Sequence, residues 1–211
     1  MKENYLKIKN QLPKNVNLLA VSKGFPSSKI IELHELGQND FGESKVQEAL
    51  QKRKELENFK KIKWHFIGKI QSNKIRKIVQ NFCYIHSVDS YEKILKISKA
   101  SIELDKITLL MIQIKLAEDP LKGGMSCEEI LERWSEIKNI RGIKINGLMT
   151  INPKDLTSEE NLKLFKKCRF LTNSLKLQDC SMGMSNDWKE AVEAGSTWLR
   201  LGSSIFGKRE V

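Results

Sequence analysis

The sequence predicts an α/β protein formed by a single domain over residues 1–211, a (β/α)8 TIM barrel. Three observations lead there. Eight short apolar runs suit doubly buried parallel strands, and each is followed by a stretch whose apolar residues recur at helical spacing. The connections are short, with no low-complexity insertion between elements. An open doubly wound sheet, the nearest rival, would carry G-x-G-x-x-G after its first strand, and this chain has none there.

The first strand is Leu18-Leu19-Ala20-Val21, which runs into Lys23 and is closed by Gly24, Phe25 and Pro26. Ahead of it only Tyr5-Leu6-x-Ile8 has an amphipathic pattern, stopped by Pro13. Ser27-Ser28 caps a helix bearing Ile30, Ile31 and Leu33, which Gly37 ends. Asn39 to Glu43 is the second strand, and Val46, Ala49, Leu50 and Leu56 fall near one face of the helix after it. Ile62 to Gly68 makes the third strand, Ile75, Ile78 and Val79 a short helix, and Phe82 to His86 the fourth strand. Asp89-Ser90 opens a helix with Tyr91, Ile94, Leu95 and Ile97, before a fifth strand from Ile107 to Ile114. Ser126 with Glu129, and Thr157 with Glu160, have the spacing of capping boxes, and they start the helices on either side of strand six, Ile143 to Ile151. Strand seven is Gln178 to Met182. The last unit runs from Ser185 through Trp188, Ala191 and Val192 to Gly195, then into Thr197 to Arg200 as strand eight.

Composition excludes several classes. The formal charge is +11, but 30 of the 37 basic residues are lysines spread over almost every helix. The densest clusters, Lys52-Arg53-Lys54 and Lys60-Lys61-Ile62-Lys63, lack interleaved aromatics, so they read as solvated surface rather than a nucleic-acid groove. No apolar run approaches the roughly 20 residues of a membrane helix, and the first residues lack a secretory h-region, so the expectation is a soluble, cytoplasmic protein without a membrane partner. Cys83, Cys127, Cys168 and Cys180 show no C-x-x-C spacing and are expected as buried free thiols. His34, His65 and His86 have no ligand-like spacing, and no metal site is expected.

In a barrel of this kind, strand carboxyl ends and the loops after them converge on one face. That collects Lys23, Glu43, Ser44, Gly68, Gln71, Asn73, Ser87, Gln113, Met149, Ser181 to Ser185, Arg200 and Gly202 to Ser204. A lysine partly desolvated at a strand end can have a lowered pKa and act as a Schiff-base amine. Ser181-Met182-Gly183-Met184-Ser185 leads into a helix start and offers hydroxyls, a permissive glycine and N–H groups suited to phosphate. Gly202-Ser203-Ser204 adds further donors after strand eight, where this fold grips phosphate. Arg200 points into the barrel and needs a partner, since a buried unpaired guanidinium is costly.

These segments resemble a known family, the pyridoxal phosphate homeostasis proteins, single-domain relatives of the alanine racemase N-terminal barrel. The resemblance rests on Leu-Leu-Ala-Val-Ser-Lys at 18–23, Phe-Gly-Glu at 41–43 with Val-Gln-Glu at 46–48, and Trp-His-Phe-Ile-Gly at 64–68 with Gln-Ser-Asn-Lys at 71–74. It continues through His-Ser-Val-Asp at 86–89, Gly-Leu-Met at 147–149, Ser-Met-Gly-Met-Ser at 181–185 and Arg-Leu-Gly-Ser to Ile-Phe-Gly at 200–207. It implies pyridoxal 5'-phosphate held as a Schiff base on Lys23. The phosphate would be held by Ser181, Gly183, Met184, Ser185, Gly202 and Ser203, with Arg200 facing the pyridine nitrogen and Ser44 and Met149 completing the binding set. Three departures stand out. Ser44 replaces the family's usual asparagine, Gly24-Phe25-Pro26 follows the lysine in place of a threonine-lysine-proline run, and the short leading segment predicts a helix reduced or absent.

An arginine facing the pyridine nitrogen keeps it largely unprotonated and weakens the ring as an electron sink. Tyr5, Tyr84 and Tyr91 fall outside the mouth loops, so no second acid-base residue is in view. The sequence therefore points to vitamin B6 carriage without robust turnover, as a monomer serving transient apo-enzyme partners. A racemase-like enzyme is the first alternative and a Schiff-base aldolase the second; the aldolase would be colourless until substrate arrived. Lys122, in the Lys-Gly-Gly loop after strand five, is a further candidate contact.

Overall fold

A computed structural model describes residues 1–119 and 123–208. Eight parallel strands pair in chain order and close: β1 (Asn17–Val21), β2 (Asp40–Glu43), β3 (Lys63–Phe66), β4 (Tyr84–Val88), β5 (Thr108–Ile114), β6 (Ile143–Thr150), β7 (Asp179–Ser181) and β8 (Trp198–Leu201), with β8 returning to β1. Helices α1 (Lys2–Gln11), α2 (Ser27–His34), α3 (Val46–Glu55), α4 (Ile75–Asn81), α5 (Tyr91–Glu103), α6 (Cys127–Ile137), α7 (Ser158–Ser174), α8 (Trp188–Glu193) and α9 (Ser203–Phe206) stand outside them. The expected (β/α)8 barrel is what the chain forms.

Strand alternation divides the apolar residues into two sets. Leu18, Ala20, Phe41, Phe66, Ile85, Leu110, Ile112 and Leu148 join the main core between sheet and helices. Tyr84, Met111 and Met149 form a separate, smaller cluster on the barrel axis, with Leu109, Ile151 and Trp198 around it. This second set is the floor beneath the mouth.

Side-chain caps open α5 at Ser90, α6 at Ser126 and α7 at Thr157, whereas α2 follows Pro26 without one: Ser27, expected to cap it, is its first residue and donates to Glu55 Oε2 instead. Thr157 and Glu160 form the full reciprocal capping box, whereas Ser126 accepts from the Glu129 N–H without an answering bond. Contrary to expectation, a leading helix is present: α1 buries Tyr5 and Ile8, and the Tyr5 hydroxyl donates to Gln38 Oε1 at 3.4 Å. Two apolar positions three apart are enough here because both dock on the helix layer. Helix α8 is shorter than expected, beginning at Trp188 rather than near Ser185. Of the cysteines only Cys168 and Cys180 are buried, and Cys83 is exposed. No helix of the described residues is long and apolar enough to cross a membrane.

One charged cluster sits in the sheet–helix layer where β1 ends. Lys52, expected as a solvated surface lysine, is buried, with Nζ 2.7 Å from Glu43 Oε1, 2.7 Å from Glu48 Oε1 and 2.8 Å from the Ser22 carbonyl. Ser22 Oγ donates to Glu43 Oε1 at 2.6 Å, and the Gly24 N–H donates to Glu48 Oε1 at 2.5 Å. Residues 22 and 24, on either side of Lys23, are thus tied to α3. Burial pushes the Glu43 carboxyl above its usual range despite Lys52, and its Oε2 has no hydrogen-bond partner among the described residues. Among those residues Lys52 is the cation bonded to Glu43. Lys52→Met should destabilise the fold by about 3–5 kcal/mol by stranding that carboxylate, and adding Glu43→Gln should recover most of the loss; urea midpoints measured on the parent, single and double variants test this.

Candidate functional site

Lys23 lies in the turn just past β1, half-buried, so strand register governs what surrounds it. Val21 pairs with Gly42 and Ala20 with Leu201, which brings Lys23 between the segment after β2, containing Ser44, and the segment after β8, containing Gly202 and Ser203. Phe25 stacks on Phe206 of α9 with ring centroids 4.8 Å apart, packing the Lys23 turn and the 202–206 segment as one unit. Ser44 is half-buried, and its carbonyl crosses over Gly68 so closely that a Cβ there would stand 2.1 Å from the oxygen. Only glycine fits that crossing.

Arg200 is 5% exposed, on the inward face of β8. Its Nη1 donates to Ser181 Oγ at 2.8 Å and its Nη2 to the Thr150 carbonyl at 2.8 Å, so two strand ends hold the guanidinium plane. The expectation that this charge needs a partner is met first within the protein. Burial lowers its pKa to about 10, while nearby Asp187, Cys168 and Cys180 act in the opposite direction.

The segment after β7 is built differently from its sequence reading. Ser181 is fully buried, and its hydroxyl lies between Arg200 and His86 Nδ1, 3.1 Å away. Gly183, with φ +92°, is required by its own protein neighbours: a Cβ would lie 2.5 Å from the Ala191 methyl and 2.8 Å from Leu199 Cδ2. The Met184 N–H donates to Asp187 Oδ1 at 2.6 Å, so that amide is committed to the protein. The N-cap of α8 is Asp187, and burial raises its carboxyl pKa. The hydroxyls stand nearer the opening. Half-buried Ser185 donates to Ser204 Oγ at 3.1 Å and accepts from the Ser204 N–H at 3.2 Å, stitching the loops after β7 and β8, with Ser203 exposed beside them.

The structure therefore brings Lys23, Ser44, Ser185, Gly202 and Ser203 around one opening, with Arg200 and Ser181 beneath it. Met149, fully buried and level with Ser181 in the β6–β7 register, belongs to the floor. Lys122 lies outside the described residues. Among the described residues no group of three or more His, Cys, Asp or Glu side chains could hold a metal ion.

Sequence reasoning missed the support under Arg200. Behind Ser181, His86 Nε2 is 3.0 Å from His65 Nδ1, and His65 Nε2 is 3.0 Å from Asp40 Oδ1. The signal is present in the sequence, since Asp40, His65 and His86 occupy inward positions of three successive strands. Burial, the His65 ring and Arg200 together push the His86 pKa well below the usual imidazole value. Burial also opposes a charge on His65, but the Asp40 hydrogen bond and Cys83 outweigh it and raise the pKa.

Comparison with known proteins agrees with this geometry. The family model described as alanine racemase, N-terminal domain, matches residues 1–210. A Synechocystis protein named pyridoxal phosphate homeostasis protein is 41% identical over 211 residues, covering 97% of each chain. One of the same name from Escherichia coli is 32% identical over 94% of this chain and 88% of its own. Among solved structures, PipY of Synechococcus elongatus with PLP bound superposes with a TM-score of 0.94 at 38% identity, covering 97% of this chain and 99% of that one. The alanine racemase of Clostridium difficile shares the fold alone, at TM-score 0.83 and 16% identity over 57% of its length. From its barrel, its mouth residues and these relatives, the chain belongs to the pyridoxal phosphate homeostasis proteins, within the alanine racemase N-terminal-domain family.

Proposed function

We propose that this protein binds pyridoxal 5'-phosphate at the barrel mouth, joined to Lys23 Nζ as a Schiff base, and holds it for other proteins rather than turning over a substrate. Arg200 carries the reading. A guanidinium this deeply buried, with two of its five N–H groups given to Ser181 and the Thr150 carbonyl, is a fixed cation on β8, the strand paired with β1, past whose end Lys23 lies. The donor set fits the cofactor: an amine for the aldehyde, Ser185, Gly202 and Ser203 at the opening for the phosphate, and an arginine for the ring edge. A relative of 38% identity solved with PLP bound supports the same reading.

When bound, the cofactor supplies an electrophilic carbon and an electron-withdrawing ring. What this chain adds limits that chemistry. Arg200 donates and cannot take up a proton, so it does not favour a protonated ring nitrogen. No described tyrosine stands at the mouth: Tyr5 is on α1 and donates to Gln38, Tyr84 donates to Asp179 Oδ2 at 2.7 Å inside the barrel, and Tyr91 is on α5 against Glu136. Among the described residues no tyrosine opposes Lys23 at the mouth, an arrangement that suits retention and release, to apo-enzymes that need the cofactor, better than proton shuttling.

Borohydride reduction of the loaded protein, followed by peptide mass mapping, should recover the pyridoxyl group on Lys23, and Lys23→Ala should lose the visible colour; label on another lysine, or undiminished colour, would sink the assignment. Arg200→Glu should shift the absorption band at equal occupancy and raise slow side reactions with amino acids. An unchanged spectrum would mean the guanidinium does not face the ring. An amino-acid racemase and transaminase screen beside transfer of the cofactor to an apo-enzyme decides between carrier and enzyme, since robust turnover would overturn the carrier role.

A further inference from the structure

A single row of hydrogen bonds crosses the barrel interior from its amino-terminal end to the mouth. It runs from Asp40, the first residue of β2, through His65 of β3 and His86 of β4 to Ser181 of β7 and Arg200 of β8, with successive separations of 3.0, 3.0, 3.1 and 2.8 Å. His65, His86 and Ser181 are each at most 2% exposed. The two imidazoles and the hydroxyl are thus sealed from water and must satisfy one another.

We propose that His65 and His86 are positioning residues for Arg200, setting through their tautomers which way the Ser181 hydroxyl hydrogen points. With both rings neutral, one arrangement satisfies every link. Arg200 Nη1–H donates to Ser181, Ser181 O–H to His86 Nδ1, His86 Nε2–H to His65 Nδ1, and His65 Nε2–H to Asp40. Ser181 then presents only lone pairs to the guanidinium. When His65 is cationic both its nitrogens donate, so His86 must accept at Nε2 and carry its hydrogen on Nδ1, aimed at Ser181. The hydroxyl hydrogen that Ser181 then carries points toward the mouth. The proton count balances as one proton gained: the His86 Nε2 proton moves to His65 Nδ1, the Ser181 proton moves to His86 Nδ1, and Ser181 regains one from the mouth. The resulting positive charge rests on His65, against Asp40.

The groups facing the row are few. His65 meets Asp40 from β2, Cys83 just ahead of β4, the Tyr84 and His86 rings of β4 and the Trp198 ring of β8. His86 meets His65, Ser181, Arg200, Tyr84 and Trp198. The Tyr84 phenol is bonded to Asp179 of β7, and Arg200 is faced by Asp187, Cys168 and Cys180. A raised pKa on His65 beside a strongly lowered one on His86 makes His65 the ring that takes up the proton.

This proposal rests on the mouth holding pyridoxal phosphate only for its consequence, so its test begins without cofactor. The chain has three histidines, and His34→Gln removes the one outside the row, leaving two ring systems to assign by nitrogen-15 NMR of histidine-labelled protein. As pH falls through the His65 titration, His86 should stay neutral and exchange its Nε2–H signal for an Nδ1–H signal. In His65→Gln the exchange should vanish. Loaded with pyridoxal phosphate, the parent should show a pH-dependent absorption band whose midpoint follows His65, and His65→Gln, compared at matched occupancy, should lose that dependence. A His86 tautomer that stays fixed while His65 titrates in the unmodified rings would overturn the proposal, even if His65→Gln fails to fold. A tautomer exchange intact in a protein that never takes up pyridoxal phosphate would overturn the cofactor reading and leave the row standing.

Discussion

The constraint on which the rest of this structure depends is the burial of Arg200. A guanidinium cannot shed its charge, and placing one at the axis of a barrel costs several kcal/mol unless acceptors surround it. Here the acceptors come from β6 and β7, as the Thr150 carbonyl and the Ser181 hydroxyl. Meeting that demand aligns three strand ends, and those ends are what the mouth loops grow from. The site is precise because its central charge leaves the scaffold little freedom to vary.

A second buried charge does related work one layer out. Lys52, Glu43 and Glu48 lie between sheet and α3, and together they fix residues 22 and 24 through bonds to the Ser22 carbonyl, the Ser22 hydroxyl and the Gly24 N–H. The amine-bearing turn is therefore held by electrostatics behind it, while the Phe25–Phe206 stack holds it from the side. Rigid placement of a flexible lysine begins with its backbone.

Much of this was legible in the sequence, because the period-2 and period-3.6 patterns act locally. Leu18 to Val21, Ile107 to Ile114 and the Thr157 capping box translate directly into elements. The boundaries that moved were governed by tertiary contacts: the start of α8 at Trp188, and the leading helix held by burial of Tyr5 and Ile8. The mouth residues could be gathered from strand ends alone, but their partners could not. Lys52 looked like one of many surface lysines, since nothing local says that Glu43 waits beneath it. Gly183 looked like a ligand-approach glycine, whereas its need arises from Ala191 and Leu199. His65 and His86 are 21 residues apart, and only the pairing of β3 with β4 makes them neighbours.

Barrels of this architecture usually separate labour, with one end free to diversify in chemistry and the other answerable only for cohesion. The link from Asp40 to Arg200 removes that division here. Asp40 keeps its side chain partly open to solvent at the quiet end, yet it terminates a wire whose other terminus lies under the working face. Resurfacing of this barrel, whether by drift or by an engineer improving solubility, is therefore not neutral at that position. The underside of the barrel is part of its instrument panel.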